Sequence, residues 1–343
     1  MTFVDQWRRR KSAAFHLEGN STARRVVEFD LWGRPVRVYA NANLSVYSAQ
    51  PCNARCPFCV EELRPASRGT ELTHQKTVER DDVRYFERLA GVLEALRPLD
   101  PSVSVTGGEP SLDPRVPAIL RLLADRGARK RTMTTNGSGL LEVREGRPLI
   151  DWVTTTDVRH LNISRAHPDQ DTNARLMRLP NGLSVRELRE VATAARDGGT
   201  RLRLSCVLVR GAIDDLGGVL RYLDFAAGLG VDNVIFRQLM KTDPATAVPN
   251  FVVHFSDARR VALEPILDRI SEDGRFAFQR QIIGYYYYVE VWRYAGMGVV
   301  FEEADLARLE AAKRARPNVI HELIFHPNAR LGSTWQPWDG VLG

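Results

Sequence analysis

The chain has 343 residues, 44% of them hydrophobic and 26% charged, with a formal net charge of +6. These values fit one large α/β domain or two small ones, and they exclude extended disorder, a collagen-like repeat and a disulfide-framed miniprotein. The 43 arginines and five lysines are scattered among acids, so the mild positive charge gives no support to a dedicated nucleic-acid binder.

Arg8 to Lys11 form a basic run. No apolar stretch of signal-peptide length follows it, and no window approaches the roughly 18 apolar residues of a membrane span. A cytoplasmic protein with reduced thiols is therefore expected. Residues 1–43 read as a leader, with a small hairpin at Trp32-Gly33-Arg34-Pro35. From Leu44 the chain alternates strands and helices. Strands are expected at Leu44–Ser48, Val103–Thr106, Lys130–Thr135, His160–Ser164, Leu202–Val209 and Val234–Leu239. Helices are expected at Asp82–Leu96, with Val83, Phe86, Leu89, Ala90 and Leu93 inward, and at Pro114–Arg126, with Val116, Ile119, Leu120 and Leu123 inward. Two more are expected at Val185–Arg196 and Asp214–Gly228. Such alternation implies a parallel sheet with crossover helices. After Lys241 the pattern loosens. Ser256–Ile270 reads as a helix, Phe276–Tyr294 as extended chain, Glu303–Arg314 as a helix and Glu322–Thr334 as a hairpin. Residues 241–343 are expected to close the open side of the sheet.

The chemistry concentrates at Cys52, Cys56 and Cys59, a C-x3-C-x2-C loop directly after the first strand. Three thiolates on one short loop suit a metal centre. A structural zinc wants a fourth ligand, for which His74 stands at a poor spacing and Cys206 is remote. An iron–sulfur cluster held by three cysteines leaves one iron open to a ligand. The next strand ends in Thr106-Gly107-Gly108-Glu109-Pro110. Together and in this order, C-x3-C-x-aromatic-C and G-G-E-P resemble the radical S-adenosyl-L-methionine (radical SAM) superfamily over roughly residues 44–240. Thr135-Asn136-Gly137 and Asn162-Ile163-Ser164 match the same pattern. The segment Leu208–Asp215 is similar to the first-step enzyme of molybdenum-cofactor synthesis.

That resemblance implies a partial (β/α)6 TIM-like barrel with an α+β extension at 241–343. It implies a [4Fe–4S] cluster on Cys52, Cys56 and Cys59, with S-adenosyl-L-methionine chelating the fourth iron. Phe58 would lie near the adenine. Gly107 and Gly108 would allow close backbone approach, and Glu109 would hold the methionine ammonium. Asn136 would face the ribose hydroxyls, unless it only serves an Asn-Gly turn. Ser164 and Arg178 would hold the cofactor carboxylate, with Arg165 and Arg175 as competitors. Ser164-Arg165-Ala166-His167-Pro168-Asp169 departs from the commoner Ser-hydrophobic-Asp pattern, which opens His167 and Asp169 to a place near the substrate.

The family chemistry is reductive cleavage of the cofactor to a 5′-deoxyadenosyl radical that takes hydrogen from an unactivated carbon. The substrate-side candidates are Cys206 as hydrogen donor, Arg203 as an anion ligand and Tyr286, within Tyr285–Tyr288, as a lining ring. Cys206 shares a strand face with Leu202, Leu204 and Leu208, which also allows a plain core position. Arg237 and Gln238 end the sixth strand. The 343 residues hold four cysteines, too few for a second cluster, which favours a redox-neutral or decarboxylating outcome. The reading is a radical SAM enzyme acting on a small, polar, anionic metabolite of sugar or nucleoside type in specialised biosynthesis, fed by an external flavodoxin- or ferredoxin-type reductant. Its alternatives are a maturase of ribosomally made peptides and a non-catalytic iron–sulfur nucleic-acid binder or sensor.

Overall fold

The computed structural model describes residues 25–63, 77–242, 247, 249–284 and 286–343. The basic N-terminal run, His74 and Tyr285 lie outside these. Strand β1 (Val26–Leu31) pairs with β2 (Arg34–Tyr39) in the hairpin expected at Trp32-Gly33. Both turn residues have positive φ, 53° and 80°, the type I′ geometry whose twist matches a two-residue hairpin.

The alternating region follows as β3 (Leu44–Tyr47), α1 (Asp82–Ala95), β4 (Val103–Thr106), α2 (Val116–Asp125), β5 (Arg131–Thr135), a short hairpin of β6 (Val143–Arg144) and β7 (Arg147–Pro148), α3 (Leu149–Thr155), β8 (His160–Ser164), α4 (Gln170–Met177), α5 (Val185–Asp197), β9 (Arg201–Leu208), α6 (Leu216–Gly228) and β10 (Asn233–Gln238). Strands β3, β4, β5, β8, β9 and β10 are neighbours in that order, and every pair is parallel. This is the parallel sheet that the strand–helix alternation implies, in the partial-barrel order that the family resemblance implies. The rest of the chain forms α7 (Phe251–Arg259), α8 (Leu263–Glu272), β11 (Phe276–Ile283), β12 (Tyr287–Tyr294), β13 (Met297–Ala304), α9 (Leu306–Ala315), β14 (Leu323–Phe325) and β15 (Leu331–Gly332). It extends the sheet at both edges. β13 runs parallel to β10 with β12 and β11 beyond it, and β14 runs parallel to β3 with β15 outermost.

Alternation along each strand separates two environments. Val46, Val105, Met133, Leu161, Leu204, Phe236 and Phe301 are fully buried on the helix side, against Leu89, Leu120, Val153, Val191 and Leu223. The opposite face of the same strands carries Ser45, Ser104, Thr132, Thr134, His160, Asn162, Ser164, Arg203, Ser205 and Arg237. The concave side of the sheet is therefore polar across β3 to β9. It turns apolar at Ile235, Val289 and Val300, with Tyr287 and Val291 packed on them.

Three sequence expectations need correction. In α1 the buried residues are Tyr85, Leu89 and Val92, and Val83 is 68% exposed. The Tyr85 ring packs edge-on against Phe86 and Phe325, which outweighs its hydroxyl. The single helix expected at Ser256–Ile270 is broken into α7 and α8. Arg260 sits at φ −62°, ψ 135° between them, and its guanidinium donates to the carbonyls of Leu239 and Met240 at 3.0 Å each, pinning the break to the end of β10. Helices α3 and α4 were not anticipated. Each is short, and α4 carries a polar sequence.

Phe301 stacks on Phe236 with ring centroids 5.3 Å apart. A Phe301→Ala substitution should cost about 3–5 kcal/mol in a denaturant titration. A loss under about 1 kcal/mol would show that β13 does not share the barrel's core.

Candidate active site

The cysteine loop leaves the C-terminal end of β3 and is held by its neighbours from the first residue. Asp113 accepts from the Ser48 hydroxyl at 2.8 Å and the Ala49 N–H at 2.9 Å, and the Gln50 carbonyl accepts the Glu109 N–H at 3.0 Å. Cys52 is exposed, Cys56 and Cys59 are half-buried, and all three are free thiols. Burial, followed by the nearby Cys59 and Cys52, drives the Cys56 thiol well above its ordinary range, so the three sulphurs are close enough to feel one another. A structural zinc would need a fourth ligand beside the three loop cysteines, and the only other cysteine, Cys206, is buried. Three separate thiols on one loop do fit a polynuclear cluster, in which each cysteine binds its own iron.

The loop rests on a small apolar shelf. Ala54, Ala166, Met177 and Leu179 are buried together, with Cys56, Phe58, Leu176 and Val207 against them. The Met177 carbonyl at the end of α4 accepts the Arg55 N–H at 3.3 Å and lies 3.3 Å from Cys56 Sγ. The Phe58 ring packs on Phe255 of α7 at 6.3 Å. A 3-10 turn, Val60–Leu63, then sends Leu63 into a second cluster with Val252, Val253, Leu306 and Leu309.

Gly107 and Gly108 have φ of +74° and +49°. A β-carbon at Gly107 would strike the Tyr47 ring, and one at Gly108 the Gln50 carbonyl. Their lack of side chains is thus required by the chain itself, to seat the tip of β4 against the cysteine loop. Glu109 is 2% exposed. Its Oε1 accepts from the Ser111 N–H at 2.8 Å, the Ser111 hydroxyl at 2.7 Å and the Thr135 hydroxyl, and its Oε2 accepts the Asn136 N–H at 2.8 Å. Burial raises the Glu109 carboxyl above its usual range, while these donors pull the other way. The carboxylate staples β4 to β5, with three donors on Oε1 and one on Oε2.

Asn136 is not the left-handed residue of its turn; Gly137 is, at φ +87°. The Asn136 amide bonds Asn53 Oδ1 at 2.7 Å and lies 3.8 Å from Cys52 Sγ. Its oxygen accepts from Ser138. The structure therefore ties Asn136 to the cysteine loop.

Ser164 ends β8 on the concave face. Of the three competing arginines, Arg178 lies beside the loop. It caps α4 in the left-handed region (φ 48°), sits over the Phe251 ring at 5.0 Å, and its charge is felt by Cys56. Arg165 is 3% exposed and turned toward the helix layer, where it donates to the carbonyls of Leu183 and Pro168 and to Gln170. Arg175 is exposed and bonds Thr172. His167 and Asp169 are occupied locally. Asp169 caps α4 through the Thr172 N–H, and His167 Nδ1 accepts the Asp169 N–H.

The substrate-side candidates divide. Cys206 is 0% exposed among the helix-side residues, with its thiol 3.5 Å from the Ala166 carbonyl, so the structure does not bring it to the concave face. Burial raises that thiol well above its ordinary range, which is the behaviour of a core residue. Tyr286 packs with Met240 on the cluster around Leu63, and it is Tyr287 that faces the barrel interior. Arg203 lies on the concave face, bonded to Asn233 Oδ1. Next to it Arg237 pairs with Glu302 at 2.7 Å. Three buried polar atoms on this face have no hydrogen-bond partner: His160 Nδ1, Asn162 Oδ1 and Arg237 Nε. Sequence reasoning missed Asn53, Asp113, Ser138 and Glu302, and gave no role to Thr135 within its motif. The first three had a readable signal, since each stands within four residues of a motif residue.

A family model described as the Radical SAM superfamily matches residues 47–223. The chain belongs to the radical SAM superfamily. Members use S-adenosyl-L-methionine together with a [4Fe–4S] cluster. Among curated proteins, the chain is 28% identical over 222 residues to a "Probable GTP 3′,8-cyclase" of Pyrobaculum aerophilum, covering 65% of this chain and 64% of that one. It is 28% identical over 221 residues to the "GTP 3′,8-cyclase" of Geobacter sulfurreducens, covering 64% and 59%. The match thus spans under two thirds of these relatives. Among solved structures, Streptococcus suis SuiB is similar with a TM-score of 0.49 at 13% identity, covering 87% of this chain and 61% of that one. Among the described residues no helix is long and apolar enough to cross a membrane.

His160 is pushed down to about 4 by burial and by Arg203, Lys130, Arg201 and Arg159 around it. It is neutral in the folded chain at pH 5, where an unfolded histidine is protonated. The unfolded state therefore binds more protons between about pH 6.5 and 4, and stability falls as pH drops through that window. His326, also pushed down to about 4 by burial, acts in the same direction. Melting curves from pH 7 to pH 4.5 should show this fall, and a His160→Asn variant should show a shallower one. An unchanged slope would mean His160 is not held neutral.

Proposed function

We propose that this radical SAM enzyme acts on a small, polar, anionic metabolite of sugar or nucleoside type, with a redox-neutral or decarboxylating outcome. When bound, the cluster supplies the electron that cleaves S-adenosyl-L-methionine to a 5′-deoxyadenosyl radical. Cys52, Cys56 and Cys59 would hold it. The backbone at Gly107 and Gly108 would approach the cofactor, the Glu109 carboxylate would suit its ammonium, and Arg178 and Ser164 would suit its carboxylate. Phe58 would flank the adenine.

The concave face carries the substrate reading. Buried polar atoms without partners are costly, and His160 Nδ1, Asn162 Oδ1 and Arg237 Nε all lie on this one surface. A polar ligand supplies what they lack. Two guanidinium groups, Arg203 and Arg237, face one carboxylate, Glu302, and burial followed by the neighbouring Arg237 lowers the proton affinity of Arg203. The excess of positive charge suits an anion, and the apolar shelf of Ile235, Val289 and Val300 suits a base or sugar face. The GTP-acting relatives are in keeping with a nucleotide-like substrate. Beyond the three loop cysteines, these residues contain only the buried Cys206, so they offer no cysteine set for a second cluster to take up a substrate electron. A flavodoxin- or ferredoxin-type carrier would then provide the reducing electron.

Protein reconstituted with iron and sulfide, then given dithionite and S-adenosyl-L-methionine, should release 5′-deoxyadenosine. Cys56→Ala should lose both the cluster absorbance and this cleavage. With nucleoside or sugar phosphates as probes, Arg237→Gln should lower substrate-stimulated cleavage about 10- to 100-fold, the scale of a lost charged hydrogen bond, and leave the basal release intact. Absence of 5′-deoxyadenosine from iron-loaded protein would defeat the reading.

A further inference from the structure

Cys52 and Cys56 have unequal surroundings. Cys52 Sγ accepts the Ala54 backbone N–H at 3.4 Å and has the Asn136 side-chain nitrogen 3.8 Å away. Cys56 Sγ faces an acceptor, the Met177 carbonyl at 3.3 Å. Two N–H donors thus face the Cys52 sulphur.

The Asn136 amide is held in one orientation by a closed ring of hydrogen bonds. Asn136 Nδ2 donates to Asn53 Oδ1 at 2.7 Å, Asn53 Nδ2 donates to Ser138 Oγ at 3.0 Å, and Ser138 Oγ donates to Asn136 Oδ1 at 2.6 Å. The Ser138 N–H also donates to that Oδ1 at 3.0 Å. A flipped amide would set its NH2 against the Ser138 N–H and its oxygen against Asn53 Oδ1, so the ring excludes it. Below the ring, the Asn136 backbone N–H is anchored on Glu109 Oε2 at 2.8 Å. Both acceptor positions of the Asn136 oxygen are taken by Ser138, and the two amide protons point at Asn53 and Cys52. A ribose hydroxyl has no acceptor left on this side chain.

We propose that Asn136 is a positioning residue for the cluster: the ring with Asn53 and Ser138 aims its amide N–H at the Cys52 sulphur, and together with the Ala54 N–H it raises the cluster's reduction potential. This rests on Cys52 being a cluster ligand. The physical basis is charge. Reduction adds an electron to the cluster and its thiolates, and N–H dipoles aimed at a ligand sulphur stabilise the more negative state. The cluster becomes easier to reduce by a carrier of given potential.

The test is a potentiometric titration of the reconstituted cluster, followed by electron paramagnetic resonance without substrate. Asn136→Ala should shift the midpoint to more negative values. Poised at the wild-type midpoint, its ratio of reduced to oxidised cluster should fall about tenfold, equivalent to about 59 mV for a one-electron couple. Ser138→Ala keeps the amide but removes both the hydroxyl that orients it and the link to Asn53. It should shift the midpoint in the same direction by less, and it carries the test if Asn136→Ala fails to retain iron. An unchanged midpoint in a variant with full iron content would overturn the proposal. An unchanged midpoint with weakened S-adenosyl-L-methionine binding would do so too, and would return Asn136 to the ribose. Full cluster retention in Cys52→Ala would instead refute the ligand assignment on which the proposal stands.

Discussion

Two buried carboxylates, Asp113 and Glu109, hold the first three barrel strands together at the end where the cysteines emerge. Asp113 receives Ser48 and Ala49 from the end of β3, and Glu109 receives Thr135 and Asn136 from the end of β5. Both acids stand in the nine-residue connection between β4 and α2. Bonds to charged acceptors in a buried setting are strong, and leaving their donors unpaired is costly. The loop that carries Cys52, Cys56 and Cys59 is thereby tied at its base to the β4 end. The absence of a β-carbon at Gly107 and Gly108 belongs to the same constraint, because it lets the β4 tip reach the Gln50 carbonyl and the Tyr47 ring.

The second organising fact is the two-sidedness of the strands. Period-2 alternation delivers Leu204, Cys206 and Phe236 to the helices and Arg203, Ser205 and Arg237 to the interior from the same segments. A parallel sheet covered by helices on one face leaves the other face to be filled by ligand or by the chain. Here the C-terminal strands cover part of it with Ile235, Val289 and Val300. The remainder stays polar and positively charged, which is where a substrate anion would be matched.

Much of this was legible in the sequence, for identifiable reasons. The six parallel strands were readable because short strand-like segments alternate with longer amphipathic helices along the chain. The helix-side position of Cys206 followed from its spacing to Leu204 and Leu208. The sequence did not reveal what Glu109 and Asn136 bond. Their roles were inferred from a motif, whereas the structure shows Glu109 accepting from Ser111, Thr135 and Asn136, and Asn136 closed into a ring with Asn53 and Ser138. Such partners lie from two to more than eighty positions apart in the chain, beyond the reach of local patterning. Likewise Tyr286 and Tyr287 differ by one position, and only the register of β12 on β13 decides which ring enters the barrel.

The central claim is that a loop anchored at its base by Asp113 and Glu109 carries a single cluster with one iron free of cysteine. Mössbauer spectroscopy of the chain reconstituted with isotopically labelled iron tests it most directly. The account predicts one [4Fe–4S] cluster per chain, and a change confined to one iron site when S-adenosyl-L-methionine is added. Mononuclear iron, or a cluster spectrum indifferent to the cofactor, would contradict it.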